Sequence, residues 1–233
     1  MKVAVIRFPG SNCDLDTVYV LRNIIGVETE LVWHRDFHNG QFDAVILPGG
    51  FSYGDALRAG VIAAYSPAMK EVREMAREGK PVLGICNGFQ ILVESGLLDG
   101  ALLRNDCLTF VCKWVTLRVE NTETSFTNKM RKGQVLRVPI AHNEGRYYND
   151  EEAIREMEEN NQIVFRYSDE RGEVTANSNP NGSIGNIAGI CNLEGNVVGL
   201  MPHPERASER ILSPYKTDHG RLFFESMINA IKK

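Results

Sequence analysis

The first half of the chain alternates short apolar runs with amphipathic segments. Residues 2–8, 28–33, 42–50 and 81–86 are rich in β-forming residues, and turns rich in glycine or proline follow several of these runs. Nearly continuous apolar runs are typical of strands buried on both faces of a parallel sheet. Because helical segments separate them, the pattern predicts an α/β fold with a doubly wound, flavodoxin-like, mostly parallel sheet.

The segments between these strands carry helix signals. Ser11 followed by Asp14 has the form of a capping box that opens a helix, and Gly26 marks the end of that helix. The Ser66-Pro67 pair is a typical N-cap and first turn, after which apolar residues recur on one helical face. This order of elements places the ligand-binding loops at one edge of the sheet.

The second half of the chain has a different pattern of apolar and polar residues. Residues 108–120 and 135–142 are long β-forming runs without an amphipathic helix between them, which predicts an antiparallel extension of the sheet. Residues 151–161 are acidic and indicate a solvated helix, and residues 221–233 form a last amphipathic helix. Since no linker or repeat divides the sequence, we expect a single domain over residues 1–233.

Composition excludes several classes of function. The 233 residues are 43% hydrophobic and 24% charged, with a formal net charge of -4, so no basic surface for nucleic acid is expected. No apolar run approaches the roughly 18 residues of a membrane-spanning helix, and the N-terminus begins like a strand rather than a secretion signal. We therefore predict a cytoplasmic protein that binds neither nucleic acid nor membranes.

The cysteines indicate free thiols rather than disulfides or a metal centre. They are odd in number and scattered, without a CxxC pair: Cys13, Cys86, Cys107, Cys112 and Cys191. The five histidines are also dispersed, so no metal site is predicted. We expect the cysteines other than Cys86 to serve packing.

Cys86 differs from the other cysteines in its surroundings. It follows an apolar strand and stands between Gly84 and Gly88, which is the form of a nucleophile elbow G-x-S-x-G with sulfur in place of oxygen. In such a sharp turn a Cβ two residues before or after the nucleophile would collide, and glycine avoids this. A helix that begins after the cysteine favours the thiolate. Alternatively, Cys86 ends a buried strand and the glycines form an ordinary tight turn.

A candidate base and its orienting acid lie near the other end of the chain. His203 and Glu205 follow an apolar strand, and Pro202 and Pro204 favour an extended backbone. In extended backbone the two side chains point to the same side, so Glu205 can orient the imidazole while His203 faces a thiol. A charged surface loop is the alternative interpretation.

A pair of glycines ends a third strand at the same predicted edge. The N–H groups of Gly50 and of Asn87, at the start of the helix after Cys86, are suited to hold a developing oxyanion. By itself the PGG sequence indicates only a turn. Three such features at the carboxyl ends of strands together predict an active site there.

The motifs PGG at 48–50, GICNGFQ at 84–90 and PHPE at 202–205, in this order, resemble the class I (triad) glutamine amidotransferases. The resemblance covers nearly the whole chain and implies a class I amidotransferase-like fold. It also implies that the protein is an enzyme, a glutaminase that releases ammonia from L-glutamine.

The resemblance assigns roles to individual residues. Cys86 would attack the side-chain amide of glutamine, and His203, oriented by Glu205, would protonate the departing ammonia. Water would then hydrolyse the γ-glutamyl thioester with His203 as the base. The N–H groups of Gly50 and Asn87 would form the oxyanion hole. The residues implied in substrate contacts are Gly49, Phe51, Ser52 and Gln90.

Further stretches, among them RFPGSNCDLD, GGFSYGDALRAG and PIAHNEGRYY, resemble the separate glutamine amidotransferase subunits of phosphoribosylformylglycinamidine synthase. This implies that ammonia passes to a synthetase subunit, which makes formylglycinamidine ribonucleotide with ATP in purine biosynthesis, and that a small accessory subunit joins the two. No cofactor is implied in this chain, since ATP and Mg are expected in the synthetase. One departure is Asn143, where the pattern has glycine, and it concerns only the local loop.

Other functions fit part of the sequence. A flavodoxin-like binding protein would hold phosphate at Ser11, Asn12 and residues 49–54, but it leaves His203 and Glu205 without a role. A different cysteine hydrolase on this fold, such as a γ-glutamyl peptidase, would keep the thiol with another substrate. A glutaminase subunit that serves another acceptor is a third alternative.

Overall fold

Eleven strands and six α-helices occur in residues 1–232, the part of the chain that the computed structural model describes. The strands are β1 Lys2–Arg7, β2 Glu28–Trp33, β3 Ala44–Leu47, β4 Val82–Ile85, β5 Ala101–Leu103, β6 Val111–Val119, β7 Val135–His142, β8 Arg146–Tyr148, β9 Ile163–Ser168, β10 Ile187–Cys191 and β11 Val197–Leu200. The helices are α1 Asp14–Tyr19, α2 Val61–Ala64, α3 Pro67–Arg77, α4 Asn87–Glu94, α5 Glu151–Glu159 and α6 Arg221–Ile231. A π-helical turn, Val20–Ile25, continues α1.

Nine of the strands form one mixed sheet in the order β2-β1-β3-β4-β11-β10-β9-β6-β7, and β5 pairs with β8 separately. The four pairings from β2 to β11 are parallel, and the four pairings from β11 to β7 are antiparallel. The predicted α/β class and the antiparallel extension are therefore confirmed. The extension is as wide as the parallel half.

Burial explains why the two halves have different sequence patterns. The strands β3 and β4 are buried along their whole length, as their continuous apolar runs predict. Strand β7 alternates buried and half-buried positions, because one of its faces is partly open to solvent. The carboxyl ends of β1, β3, β4 and β11 meet at one edge, where the predicted catalytic motifs lie.

The helix termini confirm one predicted cap and correct another. The hydroxyl of Ser66 accepts from the N–H of Ala68 at the start of α3, as predicted. Ser11 does not cap α1, because its hydroxyl accepts from the N–H of Phe8 at 3.0 Å. The residue before α1 is Cys13, which makes no side-chain capping bond. The capping box was wrong because Ser11 belongs to the loop that pairs with residue 50.

The surface confirms one further prediction and corrects another. Helix α5 buries only Met157, as expected of a solvated helix. All five cysteines are free, but Cys107 and Cys112 are exposed, so the packing role expected for these two was wrong. None of the helices in residues 1–232 is both long enough and apolar enough to span a bilayer.

Candidate active site

Cys86 stands on a strained turn between β4 and α4. Its φ of 50° lies in the left-handed region that a side chain rarely adopts, which confirms the backbone expected of an elbow. A Cβ added to Gly84 would lie 2.6 Å from the carbonyl oxygen of Gly88, so the predicted crowding across the turn is present. A Cβ on Gly88 would instead overlap the backbone of Leu47 in β3. The elbow, residues 84–88, therefore needs both glycines for space.

The thiol of Cys86 lies in a closed environment. The residue is 5% exposed, and its Sγ lies 3.7 Å from the carbonyl oxygen of Ala141 at the end of β7. The antiparallel half of the sheet thus covers the nucleophile that the parallel half presents.

His203 and Glu205 form a buried pair, although not by the backbone that the sequence predicts. The Nδ1 atom of His203 lies 2.6 Å from Oε1 of Glu205, and both residues are 1% exposed. The predicted extended segment was wrong, because Pro204–Ala207 form a 3-10 turn. We call residues 202–207 the histidine turn. A distant contact anchors it, since the N–H of His203 donates to the carbonyl of Pro139 at 2.8 Å.

The charge on His203 depends on its neighbours. Burial by itself lowers the pKa of the imidazole, but the Glu205 carboxylate and the Cys86 sulfur outweigh burial and raise the pKa well above its usual value. The Nε2 atom of His203 has no hydrogen-bond partner within residues 1–232. The imidazole is thus held by Glu205 on one nitrogen while the other nitrogen is free to exchange a proton with the thiol or the leaving group.

The backbone of residues 49–53, the oxyanion loop, is held by residues 9–13, the support segment. The two segments form a short antiparallel bridge at Ser11 and Gly50, and hydrogen bonds of 2.9 and 3.3 Å join the residues on either side of this pair. In such a pair the N–H groups of the two opposed residues point away from the partner strand. The N–H of Gly50 is therefore directed away from the support segment.

The support segment does not offer a phosphate cradle. The N–H of Ser11 donates to the carbonyl of Phe8 at 3.0 Å, and the N–H of Asn12 donates to Gly49 at 3.3 Å. Because both groups are used inside the protein, the flavodoxin-like alternative loses the two donors that Ser11 and Asn12 would supply.

A chain of amides connects the oxyanion loop to the elbow helix. The N–H of Ser52 donates to the side chain of Asn87 at 3.1 Å, and Asn87 donates to Oε1 of Gln90 at 3.0 Å. The amide of Gln90 continues to the carbonyl of Glu144 at 2.6 Å. Among the predicted substrate contacts, Ser52 and Gln90 thus also fix the shape of the site, while Phe51 is 42% exposed at its rim. Their contacts with glutamine stay a prediction.

Four ionisable residues near the site were missed by the sequence analysis. Cys13 and Arg206 lie beside the His203–Glu205 pair, and His142 faces His203 closely enough for their charges to interact. Asp55 follows the oxyanion loop with a strained φ of 53°. The position of Cys13 in the loop between β1 and α1 was a usable signal, since β1 lies beside β3 and ends at the same edge.

The donor set near His203 deserves comparison with a metal site. The Sγ of Cys13, a ring nitrogen of His203 and a carboxylate oxygen of Glu205 all lie within 4.8 Å of one another. These are the ligand types of zinc. However, the guanidinium of Arg206 lies 3.1 Å from that same sulfur, and a fixed positive charge there opposes a bound cation. We therefore assign no metal to this cluster.

Comparison with known proteins gives a consistent result. The profile of the CobB/CobQ-like glutamine amidotransferase domain matches residues 1–229. Phosphoribosylformylglycinamidine synthase subunit PurQ of Methanosarcina acetivorans is 56% identical over 99% of this chain and 98% of its own length. The subunit of the same name from Aquifex aeolicus is 59% identical over 92% of this chain and 95% of its own length.

A solved structure agrees with these relatives. A chain in the structure of PurLQS from Thermotoga maritima superposes with a TM-score of 0.85 and 44% identity, covering 98% of this chain and 97% of that chain. This chain therefore belongs to the family of CobB/CobQ-like glutamine amidotransferase domains, together with the relatives named phosphoribosylformylglycinamidine synthase subunit PurQ.

Proposed function

We propose that this chain is the glutaminase subunit of a phosphoribosylformylglycinamidine synthase. It hydrolyses L-glutamine and delivers the ammonia to a synthetase subunit of purine biosynthesis, with which a small accessory subunit assembles. The observation that carries the chemistry is the buried His203–Glu205 pair, 2.6 Å apart, beside a cysteine on a strained elbow. The relatives named PurQ and the PurLQS structure support the assignment of the complex.

The first half of the reaction cleaves the amide bond. The thiol of Cys86 passes its proton to Nε2 of His203 as its Sγ attacks the side-chain carbonyl carbon of glutamine, and the N–H groups of Gly50 and Asn87 receive the developing oxyanion. As the tetrahedral intermediate collapses, the C–N bond breaks and Nε2 of His203 gives its proton to the departing nitrogen. Because Glu205 raises the pKa of this imidazole, the proton is available at neutral pH.

The second half regenerates the thiol. His203 takes a proton from water as the water oxygen attacks the γ-glutamyl thioester, and the C–S bond then breaks to release glutamate while His203 returns the proton to the Cys86 sulfur. ATP and Mg remain in our proposal with the synthetase, and this chain uses no cofactor of its own. We also propose a cytoplasmic location, which the five free thiols support.

One experiment tests both the chemistry and the partner. The complete complex is assayed for ATP-dependent amidine formation with either glutamine or ammonium as the nitrogen source. Replacing Cys86 with serine should abolish the glutamine-dependent rate and leave the ammonium-dependent rate intact. Cys191→Ser, in a buried thiol near Asn121, is the matched control and should leave both rates unchanged. A Cys86→Ser complex that still uses glutamine would remove the triad from the reaction.

A second measurement addresses the competing hydrolases. Labelling with diazo-oxo-norleucine, an electrophilic analogue of glutamine, should modify Cys86 and be prevented by excess glutamine. Protection by a γ-glutamyl peptide but not by glutamine would favour a peptidase instead.

A further inference from the structure

A sulfur that the mechanism does not use lies against the catalytic pair. Cys13 is 2% exposed, and its Sγ lies within 4.8 Å of ligand atoms of both His203 and Glu205. The Nη2 atom of Arg206 donates to the same sulfur at 3.1 Å. The contact between Cys13 and Arg206 therefore lies directly beside the catalytic pair, which makes it a candidate for function.

The thiol of Cys13 is neutral at physiological pH. Burial raises its pKa, and the neighbouring His203 and Arg206 reduce this effect without cancelling it. The S–H donates to Oδ1 of Asn12 at 3.0 Å, and the sulfur accepts from Arg206. Cys13 therefore binds a guanidinium without adding a charge beside the imidazole.

The position of Arg206 matters because of its neighbour in the chain. Arg206 follows Glu205 directly, and Oε2 of Glu205 is buried without a hydrogen-bond partner within residues 1–232. A mobile guanidinium would be attracted to that oxygen. In the structure it is instead held by Cys13 and by Asp16, whose carboxylate lies 3.3 Å from its Nε.

Cys13 also contacts the oxyanion loop. Its backbone N–H donates to the carbonyl of Gly49 at 3.1 Å. A Cβ added to Gly49 would lie 2.7 Å from Cε1 of His203 and 3.0 Å from the Sγ of Cys13. The imidazole, the loop glycine and the thiol are therefore packed against one another without spare room.

We propose that Cys13 is a positioning residue of the glutaminase reaction, whose thiol holds Arg206 away from Glu205 and keeps the imidazole of His203 against Gly49. The inference rests on the proposed function, since it assigns a role within that reaction. Without the thiol, Arg206 would pair with Glu205, and the carboxylate would then support the protonated imidazole less strongly.

Several other charged or titratable groups surround His203. They come from four parts of the chain and are Cys86 of the elbow, Cys13 of the support segment, Glu205 and Arg206 of the histidine turn, and His142 of β7. Asp16 acts through Arg206. Since the Cys13 thiol contacts Arg206 directly, removing the thiol first frees the Arg206 guanidinium to find another partner. The expected direction is a lower pKa for His203.

The test follows the inactivation of the protein by diazo-oxo-norleucine as a function of pH. In Cys13→Ala we expect the maximal rate of inactivation to fall roughly tenfold, with little change in the concentration for half-saturation. The basic limb of the pH profile should move to lower pH. Cys13→Ser keeps a donor and an acceptor and should restore most of the rate. Cys191→Ala, in a buried thiol near Asn121, is the control and should match the wild type.

A second variant separates positioning from simple loss of packing. Arg206→Gln removes the competing cation, so the basic limb of the pH profile of this variant should not lie at lower pH than that of the wild type. Adding Cys13→Ala to this background should then leave the limb in place. The inference would be overturned if the basic limb lay at the same pH in the wild type and in Cys13→Ala. It would also be overturned if Cys13→Ala shifted this limb equally with and without Arg206. A wild type that does not react at Cys86 would overturn the proposed function itself.

Discussion

The two catalytic side chains stand on turns that are built in opposite ways. The elbow around Cys86 uses glycine for space and holds its central residue at a φ of 50°. The histidine turn uses proline, and His203 has an unstrained φ of −107°. The elbow is crowded by its own turn at Gly84 and by Leu47 of β3 at Gly88, whereas the histidine turn is held by the carbonyl of Pro139 in β7.

This difference teaches how each group is kept in place. Crowding against β3 and within the turn fixes the sulfur, so a small change of backbone close in sequence disturbs it. Tertiary contacts fix the imidazole, so substitutions at residues far away in sequence can displace it. Gly220, at the start of α6, is one such distant residue, because an added Cβ there would overlap the carbonyl oxygen of Pro204.

The largest effect should come from the histidine turn itself. We expect His203→Ala to lower kcat for glutamine hydrolysis by roughly 10⁶-fold and Glu205→Ala by roughly 10⁴-fold, the scale known for triads in other hydrolases. The histidine transfers protons, whereas the glutamate only orients and charges it. Steady-state glutaminase assays of the complex measure both. Equal losses would mean that Glu205 takes part in proton transfer directly.

A substitution at Gly88, the second glycine of the elbow, should displace the nucleophile. Gly88→Ala places a Cβ into the backbone of Leu47, so the turn must shift, and we expect kcat to fall by at least about 100-fold with a lower Tm. Gly40→Ala is the matched control, because an added Cβ at Gly40 meets nothing within 4 Å. Normal activity in Gly88→Ala would show that the sulfur does not depend on this crowding.

The contrast between the two turns also decides what the sequence could predict. The elbow and the Ser66 cap were predicted correctly, because the glycine spacing and the Ser-Pro pair are local patterns. The contact of Gly88 with Leu47 in β3 was not part of that prediction. The extended histidine segment was wrong, since proline fixes φ but a contact with Pro139 sets the turn.

The missed part of the site has the same cause. The contact between Cys13 and Arg206 joins residues 193 positions apart, and no local pattern specifies such a contact. The sheet order does bring these two residues to one edge, so the topology carries information that the motifs alone lack. The extent of the antiparallel half likewise depends on the pairing of β9 with β6 and β10.

His142 tests the antiparallel side of the site through stability. Burial and the nearby His203 lower the pKa of His142 to about 4, while the unfolded chain titrates at about 6.5. The unfolded state therefore binds the extra proton between these values, and stability falls as the pH drops through this window. The preference of His142 for the neutral form lowers the free energy of unfolding by about 3 kcal/mol as the pH falls through this window. Urea unfolding at several pH values should show a flatter profile for His142→Gln.

The control for this prediction is the exposed His38, whose replacement by glutamine should leave the slope unchanged. An identical slope for His142→Gln and the wild type would mean that His142 takes up its proton without unfolding.

Gly220→Ala should disturb the histidine turn from a distance. Its φ of −63° suits any residue, so the effect arises only from overlap with Pro204. We expect kcat/KM to fall roughly tenfold, less than for Gly88→Ala, because the turn can move with α6. Glutaminase kinetics and thermal unfolding separate the two effects. A lower Tm with unchanged kinetics would mean that the imidazole tolerates this shift.

The smallest effect should come from Asp55, beside the oxyanion loop on the elbow side of the site. Burial and then the charge of Glu144 raise the pKa of this carboxyl to about 6, and its Oδ1 has no hydrogen-bond partner within residues 1–232. Since the folded pKa exceeds the unfolded value, ionisation destabilises the fold increasingly as the pH rises from about 4 to 6. Asp55→Asn should therefore raise the Tm at about pH 7.5 and leave it unchanged near pH 4. Asp36→Asn, at an exposed carboxylate, should change neither value. A lower Tm for Asp55→Asn at the higher pH would mean that the ionised carboxylate makes a favourable contact. Ionisation of Asp55 would then stabilise the fold rather than destabilise it.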